Sequence, residues 1–119
     1  MAENIIKTKS FNFALRIVKL YQFLCSEKNE FVLSKQLLRS GTSVGANIRE
    51  SEHAQSKNDF IHKLSIAQKE ANESDYWLEL LFQSEYLTDS QFQSLKIDIV
   101  EINKILASII ISTKQNLKK

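Results

Sequence analysis

A chain of 119 residues, 43% hydrophobic and 25% charged, has the size and balance of one globular domain spanning residues 1–119, which excludes a two-domain protein and a disordered one. With no proline and two glycines it lacks the turn-forming residues of an all-β fold, and its single cysteine, Cys25, excludes an internal disulfide. The net charge of +2 is unevenly placed: residues 1–50 hold eight Lys or Arg against four acids and residues 51–119 hold eight against ten, an asymmetry compatible with a polyanionic partner.

The first helix is predicted over 10–27, with Ser10 as its N-cap. Phe11, Ala14, Val18, Tyr21 and Cys25 form one apolar line, and Phe13, Ile17, Leu20 and Leu24 a second. Two lines make the apolar face wider than one seam, so this helix should touch more than one neighbour. The segment Ser26 to Glu30 reads as a polar connector.

The second helix is predicted over 34–55, with Leu37, Gly41, Val44 and Ile48 inward. Two interior glycines each cost about 1 kcal/mol relative to alanine, so a close contact must compensate. Ser40, Gly41, Ser43, Gly45 and Ala46 form a small-residue patch on which another helix can press. Gly-Thr-Ser-Val-Gly lacks the preceding strand and the Gly-Lys-Ser/Thr ending that a phosphate loop requires.

The third helix is predicted over 57–86, opened by Ser56-Lys57-Asn58-Asp59, a capping box with Asp in the place of Glu. Phe60, Leu64, Ala67, Ala71, Ser74, Leu78 and Leu81 alternate by threes and fours, the period of a bundle seam. Its small centre, Ala67, Ala71 and Ser74, is expected to face the small-residue patch of the second helix, with Gly41, Gly45, Ala67 and Ala71 at the close approach. Thr88-Asp89-Ser90-Gln91 then opens a fourth helix over 89–114 as a Thr-x-x-Gln capping box, and Phe92, Leu95, Ile99, Ile102, Leu106 and Ile109 carry its seam. Short connections force antiparallel neighbours, so the expected fold is all-α, an antiparallel up-down-up-down four-helix bundle.

Helices three and four carry more apolar surface than one core can cover. Tyr76, Trp77, Leu80, Ile97, Val100, Ile105 and Ile110 are therefore expected at a subunit interface. No catalytic residues stand out: Cys25 has no histidine near it, and no serine lies in a Gly-x-Ser-x-Gly or Ser-x-x-Lys pattern, so the chain reads as a non-enzyme without a cofactor. Glu50 with His53 and Asp59 with His62 have the acid-x-x-His spacing of a carboxylate bundle metal site, yet both histidines fall off the inward lines and no seam glutamate completes the set, so no metal is expected. For nucleic acid the candidate residues are Lys7, Lys9, Arg16, Lys19, Lys35, Arg39 and Arg49, sparse on one chain and multiplied in a symmetric ring. Nothing resembles a signal peptide, and the apolar run Ile105 to Ile111 is far shorter than the roughly 20 residues of a membrane span, so a cytoplasmic protein without membrane contact is expected.

Gln36-Leu37-Leu38-Arg39-Ser40-Gly41-Thr42-Ser43-Val44-Gly45-Ala46-Asn47-Ile48, then Asp59 to Ser74 with Lys69-Glu70-Ala71-Asn72-Glu73, then Tyr76-Trp77-Leu78, resembles the four-helix-bundle proteins encoded in intervening sequences of bacterial 23S ribosomal RNA genes, also called S23 ribosomal proteins. The resemblance covers about residues 10–112, and the chain departs from it at Arg49-Glu50-Ser51, where many members carry Ala-Glu-Gly. It implies a homopentamer. Related bundle proteins are accessory factors of diversity-generating retroelements that bind nucleic acid and a reverse transcriptase, so the implied role is a nucleic-acid-binding accessory protein with RNA or DNA as partner. An oligomeric adaptor that binds a protein is the alternative. A continuous basic belt would favour the first and a mixed surface the second.

Overall fold

The computed structural model describes residues 2–118, in four helices: α1 (Ala2–Lys28), α2 (Leu33–Ser51), α3 (Lys57–Gln83) and α4 (Asp89–Leu117). Each packs on two others, α1 on α2 and α4, and α3 on α2 and α4, with α2 against α3 the most extensive pair. Cross-helix pairs run in opposite order on every neighbour, which makes the four helices antiparallel. On α1 and α2 they are Lys7 with Glu52 and Ile17 with Gly41; on α2 and α3, Arg39 with Glu73 and Glu50 with Lys63. On α3 and α4 they are Asn72 with Asn103 and Phe82 with Phe92; on α4 and α1, Glu101 with Lys9 and Asp98 with Arg16. The result is a rod with extents of 52 × 22 × 20 Å.

The seams expected on α3 and α4 are buried apart from Phe60, which is half-buried at the edge of the core: Leu64, Ala67, Ala71, Ser74, Leu78 and Leu81 join Leu95, Ile99, Ile102 and Leu106 in the core. The first helix departs from expectation in two ways. It begins at Ala2 rather than Ser10, because Ile6 continues the apolar line backwards and no glycine or proline interrupts it. Ser10 is no cap. It is buried in mid-helix, where its Oγ donates to the Lys7 carbonyl at 3.1 Å. Its inward line is Ile6, Phe13, Ile17, Leu20 and Leu24, leaving Phe11 48% exposed.

The caps explain the other boundaries. Val32, at the N-cap of α2, supplies no side-chain bond. The buried Glu30 carboxylate does so instead, accepting from the amides of Val32 at 3.1 Å, Leu33 and Ser34 at 3.2 Å. A carboxylate on these amides also meets the positive end of the helix dipole. The connector that reads as merely polar is therefore a capping device. Ser56 caps α3 by accepting from Asp59 N at 3.0 Å, while Asp59 reaches back to Gln55 N rather than to Ser56 N.

The third helix stops at Gln83 rather than 86, because Glu85 takes a left-handed φ of 69° and closes a Schellman turn: Tyr86 N donates to Leu81 O and Glu85 N to Phe82 O. Thr88 and Gln91 then form the expected capping box of α4, with bonds of 3.1 and 2.9 Å. The second helix ends at Ser51 rather than 55, and the fourth extends to Leu117 rather than 114.

Candidate functional site

The seven candidate cations do not share one fate. Lys7 pairs with Glu52 at 3.1 Å and Lys9 with Glu101 at 2.7 Å. Arg16 binds Asp98 and the Ser94 hydroxyl, the latter at 2.7 Å. Arg39 bridges Glu70, at 3.2 Å, and Glu73. These four cations therefore fasten helices together instead of forming a belt. Lys19, Lys35 and Arg49 have no carboxylate within 4.0 Å among the described residues, and the Arg49 guanidinium lies over the Phe11 ring, 5.5 Å from its centroid. Part of the charge asymmetry of the two halves is thus complementarity within the chain, Lys9, Arg16 and Arg39 of α1 and α2 meeting acids of α3 and α4.

Arg39, Glu70 and Glu73 belong to the two segments most distinctive in the sequence, and the fold brings those segments together. The Trp77 indole N–H donates to Glu73 Oε1 at 3.4 Å, and Ser74 Oγ donates to Ser40 Oγ at 3.0 Å inside the α2–α3 seam. Hydrogen bonding from Arg39 is the main influence holding the Glu73 carboxyl below its ordinary pKa, and Glu73 raises Arg39 in return. Gly41 and Gly45 face α1 rather than α3. A methyl group at Gly41 would lie 2.9 Å from Ile17 Cγ1, and one at Gly45 3.3 Å from the Ser10 carbonyl oxygen. Ala67 and Ala71 are fully buried in the core. The expected close approach exists, but glycines serve α1–α2 and serines serve α2–α3.

The expected interface residues divide by exposure. Tyr76 is 60%, Ile97 64% and Val100 38% exposed; Trp77, Leu80 and Ile105 are half-buried; and Ile110, at 7%, belongs to the core of its own chain because the antiparallel packing of α4 turns it inward. Exposed apolar residues also occur where the sequence reading placed none, at Phe11 and Leu15 on α1, each 48% exposed. For Phe11 the signal was the doubled apolar line of the first helix: one line fills the core, and Phe11 and Ala14 of the other border a groove of about 490 Å³ between α1 and α2, lined also by Thr42, Gly45, Ala46 and Arg49.

His53 and His62 are exposed, Asp59 serves as a cap, and among the described residues no group of three or more His, Cys, Asp or Glu is placed to hold a metal ion. Cys25 is half-buried on α1. None of the described helices is long and apolar enough to cross a membrane.

The family model described as 23S rRNA-intervening sequence protein matches residues 2–108. A crystal structure from Bacteroides thetaiotaomicron, described as a protein with unknown function from the S23 ribosomal protein family, is 63% identical, covers 92% of this chain and 98% of its own, and superposes with a TM-score of 0.92. No curated protein matches. The matched range reaches into all four helices, and on it the chain belongs to the 23S rRNA-intervening sequence protein family.

Proposed function

We infer that this protein acts without catalysis, as a self-assembling helical scaffold that presents a mixed surface to a protein partner. The observation that carries this reading is a contrast: Lys7, Lys9, Arg16, Arg39 and Lys96 are paired with acids of the same chain, while Phe11, Tyr76 and Ile97 stand 48%, 60% and 64% exposed. Exposed aromatic and branched residues at the middle of a rod favour burial against other chains. A homopentamer is the assembly that the family resemblance supports. Light scattering at tens of micromolar checks it: a multiple of the 13.7 kDa chain mass is expected, and a monomer overturns self-assembly.

The nucleic-acid-binding accessory role keeps one supporting observation, the unpaired Lys19, Lys35 and Arg49. Binding of phosphates through these cations would weaken with added salt, in proportion to the number of contacts made. A mobility-shift series with RNA and DNA from low to physiological salt separates the readings. The scaffold reading expects no shift at either salt, and a salt-sensitive shift removed by Lys35→Glu overturns it in favour of the accessory role.

A further inference from the structure

Both ends of the rod carry apolar features that the fold itself does not use. One end holds the 29–32 and 84–88 connectors, and there Phe31 and Val32 stand 56% and 72% exposed. The start of α2 needs neither side chain, because its cap is Glu30, whose carboxylate takes the amides of Val32, Leu33 and Ser34. The Glu30 amide donates in turn to Leu24 O at 3.0 Å, and Ser34 Oγ donates to Glu30 O at 2.8 Å. The bend that tucks Glu30 inward therefore holds Phe31 and Val32 outward on a fixed tip. An aromatic side chain on a pre-organised turn loses little freedom when a partner buries it.

The opposite end is hollow. There the start of α1, the 52–56 connector and the start of α3 enclose a cavity of about 500 Å³. Its floor is a core layer to which each helix contributes one side chain, Ile6, Ile48, Leu64 and Ile109. Asn4, Ala54 and Lys57, none of them buried, form its mouth. An apolar cavity of roughly 150 Å³ already accepts a benzene ring. We propose that this cavity receives the Phe31–Val32 tip of a second copy, so that rods stack end to end, all pointing the same way.

Charge favours that direction. At the tip end Glu27, Glu30, Glu85 and Asp89 outnumber Lys28 and Lys35. At the cavity end, beyond the Lys7–Glu52 and Lys63–Glu50 pairs, Arg49, Lys57, Lys114 and Lys118 outnumber Asp59. Those three lysines have no ion-pair partner among the described residues. Coaxial stacking brings Lys57, at the start of α3, towards Glu85, just past the end of α3 in the next copy, and Lys114 and Lys118, at the end of α4, towards Asp89 at its start. Tip against tip would oppose acids, and cavity against cavity would oppose lysines, both like-charge contacts. Because the contact joins unlike ends, it leaves one tip and one cavity free and propagates as a linear stack. It uses no residue on the sides of the rod, so it holds equally for single rods and for rods assembled side by side.

Sedimentation velocity on the full chain tests this, since stacking adds whole multiples to the mass found at the lowest concentration. That base mass reads assembly along the sides and the multiples read the ends, so the two fail separately. Phe31→Asp removes the tip and keeps the cavity, whereas Ala54→Glu fills the cavity mouth and keeps the tip. Both positions lie in connectors, and circular dichroism confirms folding, with Val32→Asp or Lys57→Glu replacing a variant that misfolds. Wild type is expected to climb to twice the base mass and beyond as concentration rises, and to fall back with added salt. Each variant alone stays at the base mass, and their equimolar mixture, joined through its one intact tip and one intact cavity, reaches twice the base mass and stops. Wild type that keeps the base mass at hundreds of micromolar, variants that stack as wild type does, or a mixture that never doubles each overturn the end-to-end contact.

Discussion

At Gly41 a methyl group would meet the branched Ile17 side chain at 2.9 to 3.0 Å on two of its carbons, with no flexible end to swing aside. Alanine gains about 1 kcal/mol of helix propensity there, while overpacking a filled core costs about 1–3 kcal/mol. Gly41→Ala is therefore expected to destabilise by about 1 kcal/mol in urea unfolding, with Ile17→Ala in the same chain showing a smaller further loss than the two changes summed. Glu30 is a second residue whose role exceeds its appearance. Replacing it by alanine strips the amides of Val32, Leu33 and Ser34 of their acceptor and should cost about 1–2 kcal/mol, measured as a lower urea midpoint.

Glu73 makes a prediction in pH. Its folded pKa is depressed, chiefly by the Arg39 hydrogen bond, so its stabilising contribution is present above the unfolded glutamate value of about 4.3 and is lost as pH falls through the lower folded value. The stability difference between wild type and Glu73→Gln should be constant at neutral pH and shrink below about pH 4. Both partners are partly exposed, at 49% and 32% of their side chains, so the difference stays modest and falls with added salt.

At the scale of elements, the α3–α4 turn holds a testable strain. Glu85 occupies the left-handed position that glycine fills most easily, while the stacked rings of Phe82 and Phe92, 4.4 Å apart, and the Thr88–Gln91 capping box hold the turn around it. Glu85→Gly is expected to stabilise the protein by roughly 0.5–1 kcal/mol, read as a raised melting temperature. The elements were legible in the sequence where a period and a cap coincide. Ser56 and Thr88 mark their helices to the residue, and the buried positions of α3 and α4 follow the expected seams except Ile110, which lies off them. Ser10 misled because a serine before an apolar run resembles a cap, whereas in mid-helix it is a small residue bonding its own backbone and allowing α2 to approach.

For the whole molecule, charge pairing decides the reading of its surface. Lys9, Arg16 and Lys96 join α4 to α1 and α3 through Glu101, Asp98 and Asp75. Their loss should weaken register more than it lowers stability, since exposed pairs contribute about 0–1 kcal/mol each. Arg16→Ala is expected to shift the melting temperature only slightly and to leave nucleic-acid mobility unchanged, whereas a phosphate-contacting arginine would reduce the salt slope.

Local spacing was enough to establish four helices, their order, their antiparallel packing through short connections and the lines that fill the core, because burial repeats with the helical period along a single chain. Whether Lys9 or Lys35 is free, whether Ile110 or Ile97 is covered, and that Phe11 borders a groove depended on which helix stands beside which, and at what level. A cation and the acid that neutralises it lie tens of residues apart here, and only the packing of one helix face on another brings them within reach.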